Sequence, residues 1–169
     1  NIYGGGNYGT VGQNTTVKIS NATIKGSAYA GGNGSLATVK GNTSINVSGN
    51  TIIGTESSKA PLSGSLFGGG NAAATGLEKA NNSTTIVNIT GGTIYGNVYG
   101  GANTAKVYGI TNLNIGDVTS SLPNLDRGNI IINGTVFGGG EANAEGSSEY
   151  DFSFISVTTG INIKLNDKN

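Results

Sequence analysis

The side chains able to do acid, base or metal chemistry are few, and four of the nine acidic ones crowd one short stretch. Glu141, Glu145, Glu149 and Asp151 lie close together in the chain. Carboxylates at this density can gather Ca2+, which takes about six to eight oxygen ligands. Their spacing follows no calcium-loop pattern, so a solvated acidic turn is the preferred reading, and neither metal nor cofactor is expected. With no His and no Cys, Ser-His-Asp and Cys-His triads and thiolate metal sites are excluded. The four aspartates, Asp117, Asp126, Asp151 and Asp167, are dispersed, and the sole arginine, Arg127, sits beside Asp126. Isolated carboxylates make no acid/base pair. The glycine-rich segments lead neither into Lys-Ser/Thr nor into a helix, as a phosphate cradle requires. A non-catalytic chain is therefore expected.

Those glycine-rich segments carry the main signal. Tyr3-Gly-Gly-Gly-Asn7 returns as Tyr29-Ala-Gly-Gly-Asn33, Phe67-Gly-Gly-Gly-Asn71, Tyr99-Gly-Gly-Ala-Asn103 and Phe137-Gly-Gly-Gly-Glu141, at spacings of 26, 38, 32 and 38 residues. Self-similarity at such a period marks stacked units. Stacking predicts a column of Asn7, Asn33, Asn71 and Asn103 whose amides hydrogen-bond along the stack. Glu141 closes it, because a carboxylate cannot donate. It also predicts an aromatic column of Tyr3, Tyr29, Phe67, Tyr99 and Phe137. Facing inward, those rings are core. Facing outward, they form a strip for sugar rings or a partner protein, with Tyr95 as a further contact. The mixture of Phe and Tyr favours a buried or half-buried stack.

Strands must position these columns. Thr15–Ile19, Thr43–Val47, Thr85–Ile89 and Thr111–Ile115 alternate with period two, which gives each one dry face. Val17, Ile19, Ile45, Val47, Val87, Ile89, Leu113 and Ile115 point inward, together with the leading threonines. Lys18, Asn46, Asn88 and Asn114 point outward. A second short strand follows in each unit: Thr23-Ile-Lys-Gly26, Thr51-Ile-Ile-Gly54, Thr93-Ile-Tyr-Gly96 and Ile131-Ile-Asn-Gly134. This alignment makes a row of Thr23, Thr51 and Thr93 with Lys25, Ile53, Tyr95 and Asn133 outward. The aromatic segment is the third strand. Insertions at Thr55–Ser65, Ala72–Ser83 and Asp117–Gly128 account for the longer units.

The predicted architecture is all-β: a single-stranded parallel, right-handed β-helix solenoid of about five coils with three short strands each. It spans residues 1–169 as one domain, with units starting near 2, 28, 66, 98 and 136. An antiparallel sandwich is disfavoured, because no Asn-Gly hairpin joins adjacent alternating runs.

Composition sets further bounds. Only 11% of residues are charged, against about 25% in an ordinary domain, yet the Val/Ile alternation argues against disorder. Nine cationic and nine anionic side chains cancel, so nothing draws the chain to nucleic acid. No apolar run reaches the ~20 residues of a membrane helix. The chain opens directly on a repeat and reads as a piece of a longer protein with an uncapped, association-prone N-terminal edge.

From Ile2 to about Leu165 the units resemble the Gly/Asn/Thr-rich β-strand repeats of bacterial surface proteins with pectate-lyase-like right-handed β-helices, such as adhesins and autotransporter passenger domains. The resemblance implies an extracellular or cell-surface structural or adhesive segment that meets host glycan or protein. Two rival classes are a polysaccharide lyase or hydrolase whose catalytic residues lie elsewhere, and a module self-associating through the solenoid ends.

Overall fold

The computed structural model describes residues 1–58, 63–80, 82–116, 129–141, 152–157 and 163–165. Among them there is no helix, and the strands fall into groups of three. The first repeat contributes β1 (Ile2–Tyr3), β2 (Thr15–Ser20) and β3 (Thr23–Ile24). The second contributes β4 (Ala28–Tyr29), β5 (Thr43–Ser48) and β6 (Ile52–Ile53), and the third β7 (Leu66–Phe67), β8 (Ser83–Ile89) and β9 (Gly92–Ile94). The fourth holds β10 (Val98–Tyr99), β11 (Gly109–Ile115) and β12 (Ile130–Ile132). The fifth holds β13 (Val136–Phe137), β14 (Phe152–Val157) and β15 (Ile163–Leu165).

Consecutive strands never pair with each other. Each joins its counterparts in the neighbouring repeats, in parallel, giving sheets ordered β1-β4-β7-β10-β13, β2-β5-β8-β11-β14 and β3-β6-β9-β12-β15. Three parallel sheets visited in rotation are what a parallel β-helix requires.

The register follows the hydrophobic pattern, since a slip of one residue would turn every apolar side chain outward. Val17, Ile45, Val87, Leu113 and Ile155 align, as do Ile19, Val47, Ile89, Ile115 and Val157. With Ala28, Leu66 and Val98 from the first sheet and Ile24, Ile53, Ile94 and Ile132 from the third, these columns build one aliphatic core. Each fully buried Ile, Leu or Val contributes about 1.5–3 kcal/mol relative to exposure.

The third sheet departs from the expected alignment. β6 pairs Thr23 with Ile52 and Ile24 with Ile53, so Thr51 leaves the threonine row. Ile53 goes into the core while Ile52 faces out. Either alignment buries one isoleucine of the pair; in the observed one the turn between β5 and β6, Gly49-Asn50-Thr51, is one residue longer than the Asn21-Ala22 turn of the first repeat. Thr51, also buried, is satisfied locally by donating its hydroxyl to Ser48 O at 2.7 Å.

The inserted segments are narrower than their sequence limits. Thr75, inside the Ala72–Ser83 stretch, bridges Val39 and Val107 just as Val11 bridges Val39, so the extra length lies after it. Around the Thr55–Ser65 insertion Gly54 and Gly64 are neighbours, with no room for a Cβ between them. The insertion Asp117–Gly128 lies outside the described residues.

Candidate functional site

The glycine corner explains the chain's composition. Its central position, Gly5, Gly31, Gly69, Gly101 and Gly139, is glycine in every repeat. A Cβ at Gly31 would lie 2.6 Å from the backbone nitrogen of Gly70, and one at Gly101 2.8 Å from that of Gly140. Neighbouring repeats approach backbone to backbone here, and only glycine permits it. Two residues on stands the asparagine, and then the chain turns through left-handed backbone. Tyr8, Gly34, Ala72 and Thr104 have φ of 58°, 91°, 49° and 52°. Three of these four carry a Cβ, which makes the corner locally strained. It is held by paired backbone bonds, such as Asn71 N to Gly32 O and Ala72 N to Asn103 O, both 2.8 Å.

Asn7, Asn33, Asn71 and Asn103 form a column in parallel register, and Glu141 continues it. Asn33 Nδ2 donates to Asn7 Oδ1 at 2.8 Å, Asn71 Nδ2 to Asn33 Oδ1 at 2.8 Å, and Asn103 Nδ2 to Asn71 Oδ1 at 2.7 Å. Every donor points toward the N-terminal repeat. A residue above Asn103 would have to donate to it. Glu141 cannot, so the amide chain ends there.

The aromatic column is present, but neither sequence alternative describes it fully. Ring centroids are 4.6–5.0 Å apart with interplanar angles of 4–13°. Alternation along the two-residue strands sends Ala28, Leu66 and Val98 to the aliphatic core and the rings to the other side. There Tyr29, Phe67 and Tyr99 are a second buried cluster with Tyr3 against it. The rings cover one another's faces. Tyr29, Phe67 and Tyr99 thus have no face left for a sugar. Phe137, in the last repeat, is 41% exposed.

Burial pushes the Tyr99 phenol up to about 12, and a hydrogen bond with Glu141 adds to this. The Tyr99 hydroxyl also accepts from Asn97 Nδ2 at 2.8 Å. Burial raises Tyr29 as well, with Tyr3 acting in the same direction.

Further hydrogen-bond ladders join the repeats. Asn88 Nδ2 donates to Asn46 Oδ1 and Asn114 Nδ2 to Asn88 Oδ1, each at 2.8 Å. Lys18 stands at the base of that column. Outward asparagines at one phase of three strands are the visible signal for it. The inward threonines reach the next repeat's glycine corner: Thr15 Oγ1 donates to Ala30 O (2.6 Å), Thr43 Oγ1 to Gly68 O (2.5 Å), Thr85 Oγ1 to Gly100 O (2.5 Å) and Thr111 Oγ1 to Gly138 O (2.6 Å). Before the aromatic strand, Asn1 Oδ1, Ser27 Oγ, Ser65 Oγ and Asn97 Oδ1 accept from the backbone N–H of Ser27, Ser65, Asn97 and Thr135, at 2.7–3.1 Å.

Of the acidic cluster, only Glu141 is described; Glu145, Glu149 and Asp151 lie outside the described residues. No group of three potential metal ligands occurs among those described. Tyr95 is half-buried beside Gly54, away from the aromatic column. Tyr8, unremarked in the sequence, is 63% exposed, with its ring over Gly34.

No protein-family model, curated protein or solved structure matches this chain. Polar columns tie repeat to repeat, and the outward face of the long-strand sheet carries Lys18, Ser44, Asn46, Ser48, Thr84, Ile86 and Asn88. No helix among the described residues is long and apolar enough to cross a membrane.

Proposed function

We propose that the chain is a stretch of a right-handed parallel β-helix solenoid. Its role is that of a non-catalytic structural or adhesive segment of a bacterial cell-surface protein, displayed outside the cell. The observation carrying this reading is the spending of polar side chains on cohesion. The same Asn–Asn, Thr–carbonyl and Ser/Asn–amide bonds recur from repeat to repeat. Right-handedness rests on the rule for parallel crossovers.

Recognition falls to what the columns leave outside: the Ser/Thr/Asn face of the long-strand sheet, Tyr8 and Tyr95. Host glycan or protein is the ligand class that suits a face mostly of hydroxyls and amides, with Lys18 its cation and a few aromatic rings nearby. Binding to glycan arrays and host matrix proteins, compared with Tyr8→Ala and Tyr95→Ala, tests this. Binding lost in either variant supports recognition. Silence across both panels removes the adhesive role and leaves a plain stalk, and depolymerisation of any polysaccharide by the chain would sink the non-catalytic reading.

A further inference from the structure

In the first asparagine column, Asn7, Asn71 and Asn103 are followed by Tyr8, Ala72 and Thr104, and Asn33 is followed by Gly34. All four following residues take left-handed backbone, and glycine takes it without the strain that a Cβ brings. That relief brings a chemical hazard. In an Asn-Gly pair no Cβ shields the backbone nitrogen that can attack the preceding side-chain amide. The Gly34 N–H gives its proton to base, and the nitrogen attacks Asn33 Cγ. A cyclic imide closes, and Nδ2 leaves as ammonia. Water then opens the ring at either carbonyl, which leaves aspartate or isoaspartate.

The stack holds the two reactants apart. Asn33 Nδ2 donates to Asn7 Oδ1, and Asn33 Oδ1 accepts from Asn71 Nδ2, each at 2.8 Å. The amide cannot turn toward Gly34 without breaking both bonds. Gly34 N donates to Asn71 O at 2.8 Å, and Asn33 O accepts from Tyr8 N at 2.9 Å, which fixes the peptide plane between the two residues. Asn71 thus grips both partners of the reaction, the electrophile with its side chain and the nucleophile with its carbonyl. Tyr8 adds a cover. Three of its ring atoms would stand 2.6–3.0 Å from a Cβ at Gly34, so the ring lies against the glycine and shields that side from base and water.

We infer that Asn33-Gly34 is a deamidation site that the folded stack keeps closed and that opening of the second repeat exposes. The product hinders the return. Aspartate at this position keeps the acceptor for Asn71 but has no donor for Asn7, and its carboxylate faces the Asn7 carbonyl oxygen. Isoaspartate runs the main chain through an added methylene, at a corner where Gly31 and Gly70 already meet backbone to backbone. The modification turns a transient opening into a lasting one.

Peptide mapping by mass spectrometry after incubation at mildly alkaline pH tests this, with the chain folded and in urea. In urea Asn33 should convert, as should Asn133, which precedes Gly134. In the folded chain Asn33 should convert more slowly by about tenfold or more. Tyr8→Ala and Asn71→Ala should each speed the folded reaction at Asn33 and leave its rate in urea unchanged. Asn103→Ala also removes a bond from the column, the one to Asn71, without touching Asn33. It reports general loosening and should leave the folded rate as it is. A folded rate at Asn33 equal to that in urea, indifference to either of the first two variants, or an equal acceleration by Asn103→Ala each overturns the inference. Should Asn71→Ala fail to fold, Tyr8→Ala and Asn103→Ala decide it, since both leave the Asn33 side-chain bonds in place.

Discussion

Thr75 pairs in parallel register with Val39, and its hydroxyl is buried without a hydrogen-bond partner. Val11 and Val107 complete that column, so the threonine is a polar intruder in an apolar row. Thr75→Val removes an uncompensated desolvation of about 1–3 kcal/mol, and we expect a raised midpoint of denaturation. Thr43→Val is the opposite case. It deletes the donor to the Gly68 carbonyl at the same change in shape and should destabilise by about 1–3 kcal/mol. Urea denaturation of the two variants decides both signs.

Glycines of this chain divide by what lies above them. A methyl group on Gly69 would sit 2.7 Å from Ala102 Cβ and 2.9 Å from its Cα. Gly69→Ala should cost about 1–3 kcal/mol or prevent folding. At Gly9 a Cβ meets nothing within 4 Å, so Gly9→Ala should stay within about 0.5 kcal/mol of wild type. Equal losses in thermal melts of the two proteins would refute backbone contact as the reason for glycine.

The ring stack sets an alkaline limit. The phenols of Tyr29 and Tyr99 bind their protons more tightly in the folded chain than in the unfolded one. Their contribution is therefore complete below the ordinary tyrosine value of about 10. It is lost as pH rises toward the Tyr99 value of about 12. Absorbance titration should show these two phenols ionising late, with stability falling over the same interval. Glu141→Gln should lower the Tyr99 transition without bringing it back to the ordinary value, since burial, the larger cause, persists.

Asn71 both donates to Asn33 and accepts from Asn103. Asn71→Ala removes two bonds at about 0.5–1.5 kcal/mol each. Asn7→Ala removes one and should cost about half as much. Asn71→Asp keeps the acceptor and loses the donor, so near neutral pH it should fall below wild type. Comparing the three by denaturant titration tests whether the column contributes in proportion to its bonds.

Much of this arrangement is legible in the sequence, and the exceptions have physical causes. Period and residue identity mark the Asn and ring columns, since glycine at one phase of every repeat leaves few ways to align them. Thr51-Ile52-Ile53 misleads because two alignments each offer an apolar side chain to the core. The choice falls to whichever isoleucine meets Ile24 and Ile94. In a two-residue strand both side chains are apolar enough for a core, so the sequence alone does not say that Ala28 and Val98 take the aliphatic side and Tyr29 and Tyr99 the far one. The Asn46–Asn88–Asn114 ladder needs amide orientation as well as position, and a sequence supplies only position.

Because each repeat is bonded only to the repeats on either side of it, the chain has a distinctive response to force. Drawn out by its termini, it meets rungs lying along the pull, which separate layer by layer instead of yielding together in shear. Tension should therefore release it in a staircase of small steps. With repeat spacings of 26, 38, 32 and 38 residues, an optical trap should record length gains of roughly 90 to 130 Å per layer.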